Sequence, residues 1–392
     1  MPSVLTISHS YVVALNRRLV REMARLGGAA WRFRVVAPSF FHARLRPIAA
    51  EPSSASDPFA FETLPVRLGR SIHLFLYGSR LRNLLRGDVD LVHAWEEPYV
   101  LAGAQIAAWT PRGVPLVLAS YQNIAKRYPP PFAQLERYAV HRSSAVVAGG
   151  HTVAEALAGR RPYRGRRMPV IPLGVDLDEF RPDAARGDAV RRSLGWDTSD
   201  PPVVGFLGRF VEEKGVLLLC RALERTRMPW RALFIGEGPL EAELRRWALV
   251  YRDRVRVVTG VHHPEVPDHL NAMDVLCAPS LTRRNWREQV GRMLIEAFAS
   301  GVPVIGSSSG EIPHTIGDAG LIVREGDVVA WTNALEGVLT DPAERARMSA
   351  GGLARARGCF GWPVVARAYL DLFDELLAEH GSSTGRDTSA AG

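Results

Sequence analysis

"EQVGRMLIEAFASGVPVIG", residues 288–306, runs from a turn through a helix into a buried strand. Gly291 supplies the turn, a helix starts near Arg292, and "VPVIG" is the short apolar run of a strand covered on both faces. The same alternation extends in both directions. "PVVGFLG" (202–208), "RALFIGEG" (231–238), "VRVVTG" (255–260), "DVLCAPS" (274–280) and "GLIVREG" (320–326) alternate with helical stretches. An earlier series does likewise: "VLTIS" (4–8), "FRVVAP" (33–38), "VDLVHAW" (89–95), "PLVLAS" (115–120) and "SAVVAGG" (144–150). Strands alternating with helices imply parallel sheets with helices on both faces, so the fold class is α/β with two doubly wound, Rossmann-like sheets.

A chain of 392 residues also exceeds what one core holds, since cores stop growing at about 250 to 300 residues. Residues 1–172 are expected to form the first domain and 173–359 the second, joined near the Pro-, Gly- and charge-rich stretch at 173–185. A last helix, 360–380, is expected to pack back on the first domain. The polar tail at 381–392 has too little apolar area to order itself. Two such domains facing a cleft would bind ligands at the carboxyl ends of their strands, in the turns that follow.

Composition narrows the function. Hydrophobic residues make up 47% and charged residues 23%, with no apolar run near the ~20 residues of a membrane span. The amino terminus "MPSVLTISHSY" lacks the basic and apolar order of a signal peptide, so a cytoplasmic location is expected. Cys220, Cys277 and Cys359 are too far apart for a zinc or redox motif. Charge is uneven. Residues 1–180 hold 23 Lys plus Arg against 13 Asp plus Glu, net +10, and the remainder is net −2. That asymmetry suits an anionic partner for the first half, either a phosphate-bearing acceptor or a membrane surface. No nucleic-acid partner is expected.

In the second series, "PVVGFLG" ends at Gly208 and the next turn carries Arg209 and Lys214. These are either surface cations or a fork and a point charge for a diphosphate. The strand "RALFIG" ends in "GEGP", where Glu237 and Gly238 form a turn whose glycines permit close approach to a flat ligand. The backbone of Gln289, Val290 and Gly291 would offer free N–H groups to an anion. Glu288 lies in the loop before that helix, where a carboxylate can bond hydroxyls of a transferred group. Glu296 lies a turn inside it, among apolar residues that make an unpaired carboxylate costly, and suits a pair of ribose hydroxyls.

"IPLGVDLDEF", "GRFVEEKG", "GEGP" and "EQVGRMLIEAFASGVPVIGSSSGEIPHTIGDAGLIV", in this order, resemble the motifs of the retaining GT-B glycosyltransferases of family 4. The resemblance runs from residue 1 to about 380. It implies two Rossmann-like domains facing a cleft and transfer of a sugar from a nucleoside diphosphate to an acceptor hydroxyl with retention. Such transfer would serve polysaccharide, glycolipid or natural-product glycoside synthesis. It also implies Arg209 and Lys214 on the donor diphosphate, Glu288 on the sugar and Glu296 on the ribose, with no metal or other cofactor.

The first half departs from the family pattern. The first turn, "SHSYVVALNRRL", has no glycine pair, and Gln122 stands where the pattern has a histidine. His9, Asn16, Arg17, His93, Glu96, Glu97, Gln122 and Asn123 are the candidates for the acceptor side. "DVD" at 88–90 mimics a metal-binding Asp-x-Asp but precedes its strand. "RRPYRGRR" at 160–167 is either a solvated loop or a contact for anionic lipid, in keeping with a lipid-linked acceptor and peripheral membrane contact. Two alternatives stay open: a nucleotide-sugar-binding protein without transfer, and an epimerase of the same architecture. A nicotinamide enzyme would need a Gly-x-Gly-x-x-Gly turn after a strand, which neither half supplies.

Overall fold

A computed structural model describes residues 1–42, 47–197 and 201–387, with side chains described as far as residue 381. The chain forms two compact units, Met1–Pro172 with Trp362–Gly392, and Leu173–Gly361.

In the first unit, β1 (Ser3–Ile7), β2 (Arg32–Pro38), β3 (Ala60–Leu64), β4 (Leu91–Ala94), β5 (Leu116–Ser120) and β6 (Ala145–Ala148) form one parallel sheet in the order β6-β5-β4-β1-β2-β3. Successive residues of β1, β4 and β6 are all buried. Neighbouring side chains on a strand point to opposite faces, so both faces are covered, and this is why these strands are apolar runs rather than alternations. One cover is the helix starting at Trp362, whose Val365, Ala366, Tyr369, Leu370, Phe373 and Leu376 make a buried stripe at three- and four-residue spacing. It packs along the helix Arg18–Gly27.

In the second unit, β7 (Val203–Leu207), β8 (Arg231–Ile235), β9 (Val255–Val258), β10 (Val275–Ala278), β11 (Val304–Ser307) and β12 (Leu321–Val323) form a parallel sheet ordered β9-β8-β7-β10-β11-β12. Both sheets are doubly wound. In each, chain order reverses between the first and fourth strands, β1 and β4, then β7 and β10, which is where such sheets open a crevice for ligands.

The 173–185 stretch, expected as the junction of the domains, is anchored in the second core: Val175 and Phe180 are 3% and 2% exposed, and the Val175 N–H donates to the Phe360 carbonyl at 2.7 Å. One local expectation is corrected. Within the polar tail, residues 381–387 extend the last helix, because adding turns to a packed helix costs far less than starting one. The rest of the tail, 388–392, lies outside the described residues. Among the described residues no helix is long and apolar enough to cross a membrane.

Candidate active site

At the switch point of the second sheet, the turns leaving β7 and β10 are stitched together, the Leu281 N–H donating to the Glu213 carbonyl at 2.8 Å. This sets Lys214 Nζ 2.6 Å from Glu288 Oε2, and Ser280 Oγ donates to the same oxygen at 3.0 Å. The ammonium also lies 5.3 Å from the centre of the Trp286 ring. The two side chains are 15% and 9% exposed. Sequence reasoning assigned them separate tasks; the fold joins them in one ion pair. Arg209, by contrast, is 62% exposed, and its only ion pair among the described residues is with Glu213 at 3.6 Å.

The backbone of Glu288 is clamped from the other side. Gly310 has φ +55°, and a Cβ there would fall 2.1 Å from the Glu288 carbonyl oxygen, which also accepts the Glu311 N–H at 3.0 Å. Sequence reasoning passed over Gly310, although "SSSGE" follows a strand as a turn would. Gly310→Ala is expected to lower stability by about 2 kcal/mol or more, from a positive φ and a backbone clash together. Thermal melting of the variant checks this, and an unchanged midpoint would remove the clamp from the account.

Gly291, at φ +68°, begins the helix Arg292–Ala299, and no side chain caps its first turn. Its leading N–H groups are therefore available to an anion. Thr315 Oγ1 donates to the Val290 carbonyl at 3.0 Å and steadies the approach, while Gln289 is exposed. Glu296, one turn in, is 6% exposed. It is not the isolated carboxylate expected: His263 Nε2 lies 3.4 Å from its Oε1, and His263 Nδ1 lies 3.7 Å from Glu179 Oε1. Phe180 packs its ring edge to face against the imidazole at 5.5 Å. His263 and Glu179 escaped sequence reasoning; the usable signal was that "VHHPE" follows the carboxyl end of β9.

The glycines of "GEGP" serve the protein's own backbone. A Cβ at Gly236 would lie 1.9 Å from the Gly208 carbonyl oxygen, and one at Gly238 2.5 Å from that of Phe210. Glu237 is exposed and accepts the Gly260 N–H at 3.0 Å, which ties the turns after β8 and β9.

In the first unit, the switch point gathers a second polar group. Glu96, 2% exposed, accepts the His9 N–H at 2.6 Å, lies 2.6 Å from His9 Nδ1 and accepts the Tyr77 hydroxyl at 3.0 Å. Burial opposes a charge on His9, but the attraction and hydrogen bond of Glu96, with Glu97 beyond, outweigh it and raise its pKa above the ordinary imidazole value. The His9 side chain is 24% exposed, and with Nδ1 turned to Glu96, Nε2 is the nitrogen left for a ligand. Glu97 is pushed up to about 7 by burial, against hydrogen bonds from Ser120 Oγ and the Tyr121 N–H at 2.7 Å each.

Two candidates prove to be packing residues. Arg17 is fully buried and donates to the Tyr11, Glu51 and Pro52 carbonyls at 2.8, 3.0 and 2.9 Å, with Phe61 4.3 Å from its guanidinium. His93 is fully buried beneath Tyr369 and Phe373 of the last helix, 3.0 Å from Thr6 Oγ1, and burial lowers its pKa to about 3. It stays neutral. Asn16 donates to the Ser10 carbonyl at 2.8 Å and holds the first turn. Gln122 donates to the Tyr128 hydroxyl at 3.3 Å and accepts the Ile124 N–H, while Asn123 is buried.

"DVD" is structural: Asp88 pairs with Arg32, and Asp90 accepts the Ser3 N–H at 2.7 Å. In "RRPYRGRR", Arg160 pairs with Glu136, Arg166 donates to His141 at 2.9 Å, and Arg167 pairs with Glu375 and Glu379. Arg161 and Arg164 are exposed. Among the described residues no group of three or more His, Cys, Asp or Glu could hold a metal ion.

The chain is similar to known proteins. Residues 12–179 match the model of Glycosyltransferase Family 4, and residues 201–341 match that of Glycosyl transferases group 1. The chain is 33% identical over 300 residues, 74% of its own length and 67% of the relative's, to a D-inositol 3-phosphate glycosyltransferase of Xylanimonas cellulosilytica. Among solved structures, sucrose-phosphate synthase from Thermosynechococcus elongatus superposes with a TM-score of 0.72 at 21% identity, covering 97% of this chain and 100% of that one. Anabaena HepE in complex with UDP and glucose superposes at 0.70 and 18% identity, covering 96% and 100%. At these identities the two structures establish the shared fold.

Proposed function

The chain belongs to the family 4 glycosyltransferases, which transfer a sugar from a nucleoside-diphosphate donor to an acceptor, and from that premise we propose a retaining transfer with the donor held by the second unit and the acceptor hydroxyl by the first. The observation that carries this reading is the Lys214–Glu288 pair at the β7/β10 switch point, beside an exposed Arg209 and a helix start with no side-chain cap.

As the bond from the anomeric carbon to the diphosphate breaks, its electron pair goes to the phosphate oxygen. Arg209, Lys214 and the N–H groups near Gly291 stabilise the charge that develops there. The acceptor oxygen bonds to the same carbon on the same face, and its proton passes to the departing phosphate. Glu288 takes hydroxyls of the sugar. Glu296, steadied by His263, takes the ribose hydroxyls. His9, turned by Glu96, bonds the acceptor hydroxyl through Nε2.

We further propose a lipid-linked acceptor and peripheral contact with the cytoplasmic face of an anionic membrane. The support for an anionic partner is the net +10 of residues 1–180.

A thermal-shift series with UDP, GDP, ADP and TDP tests the donor assignment. At ~100 times its dissociation constant, one nucleoside diphosphate should stabilise the native state by about 2.7 kcal/mol, a rise of about 5 to 10 °C. Glu296→Ala is expected to lose that rise. Wild-type protein indifferent to all four would overturn the assignment.

A further inference from the structure

The first unit contains a cavity of about 910 Å³ whose lining includes Tyr128, which accepts from Gln122, and part of the 160–167 run. Three segments line it: the loop before the helix Phe132–Arg142, that helix itself, and the end of the helix His151–Ala158 with the turn after it. Together they contribute Lys126, Arg127, Arg137, Arg161 and Arg164, all exposed, and none pairs with a carboxylate among the described residues. A sixth cation, Arg160, is committed to Glu136 and lies 4.5 Å from the Tyr128 ring centre. That leaves Glu155 as the single lining carboxylate not so engaged.

Cations of one sign around a concavity repel each other and concentrate anions, and a single phosphate cannot neutralise five of them. Tyr128, the aromatic lining residue, is already stacked on Tyr99 at 4.2 Å and packed against Arg160, so it offers a nucleobase little open platform. Small residues, Ala133, Ala156 and Gly159 among them, leave the room.

We propose that this cavity binds a compact ligand bearing two or more phosphate groups and no base, recognised by Lys126, Arg127, Arg137, Arg161 and Arg164. Its test reads binding alone, without turnover.

The probe is inorganic tripolyphosphate, titrated calorimetrically into the full chain at two salt concentrations. Wild type should bind one equivalent, more weakly at the higher salt. Arg161→Glu with Arg164→Glu should weaken binding by about tenfold or more, and Arg137→Glu alone should weaken it measurably. Arg82→Glu with Arg86→Glu, the same charge change on exposed residues of another helix, should leave it intact. Melting curves verify that each variant folds. Equal loss in the control pair, non-saturating binding, or loss in Arg209→Ala with the cavity variants unaffected would each overturn the proposal. A second arm separates the sources of the phosphates, using phosphatidylcholine vesicles doped with phosphatidylinositol bisphosphate. Sedimentation with the vesicles that the Arg161/Arg164 variant abolishes assigns a lipid headgroup, and tripolyphosphate binding without vesicle binding assigns a free polyphosphate.

Discussion

Lys214→Ala is expected to lower kcat/KM by about 100- to 1000-fold, the usual loss on removing one preorganised group that stabilises developing charge. The structure adds a second consequence. Lys214 neutralises Glu288 at 2.6 Å with both side chains mostly buried, so the variant leaves a mostly buried carboxylate without the Lys214 charge, while Ser280 Oγ still donates to the same oxygen. Breaking such a pair costs about 3 kcal/mol, and the melting midpoint should fall with turnover. Pairing Lys214→Ala with Glu288→Gln should recover most of the stability and none of the turnover, which separates folding from chemistry. Arg209→Ala provides the contrast: the side chain is 62% exposed, so turnover should fall while stability stays within about 0.5 kcal/mol. Near-normal turnover in both single variants would remove these residues from the diphosphate site.

The protein should lose stability as pH rises from about 4.5 to about 7, and Glu97→Gln should remove most of that slope. Burial raises the Glu97 pKa from 4.5 to about 7, helped by Glu136 and Glu96 and opposed by Ser120 and the Tyr121 N–H. Between those values the folded state keeps a proton that the unfolded chain releases, so the stability gained at low pH is lost as pH climbs, by about 3 kcal/mol. His9 acts in the same direction. Its pKa is raised on folding, so its contribution is full below about 6.5 and is lost as pH passes its folded value. Urea unfolding of wild type and Glu97→Gln from pH 5 to about 8 gives the comparison, with Gln able to keep both hydrogen bonds. A flat wild-type profile would show Glu97 ionised throughout.

What could be read in advance follows distance along the chain. Gly208, Arg209 and Lys214 share one turn, and Glu288, Gly291 and Glu296 share a loop and the helix after it, so spacing alone brings each set together. Lys214 and Glu288 are 74 residues apart, His9 and Glu96 are 87 apart, and His263 and Glu296 are 33 apart. Each of these pairs joins segments that follow different strands. Strand order decides which turns meet, and strand order leaves no local trace in the sequence.

The same limit explains the residues read differently. His93 and Arg17 look like site residues because their types carry chemistry and their segments border a turn. Only packing shows that Tyr369 and Phe373, from the far end of the chain, close over His93, and that Arg17 is spent on three carbonyls. The glycines of "GEGP" were legible as a close approach, but the partner backbone at Gly208 and Phe210 was not. By itself, the sequence determined two doubly wound sheets and the turns that carry charge, because apolar periodicity and turn residues act over a few neighbours. The tertiary structure alone decided which charges pair and which are buried, because desolvation and Coulomb attraction depend on separations in space that chain spacing does not encode.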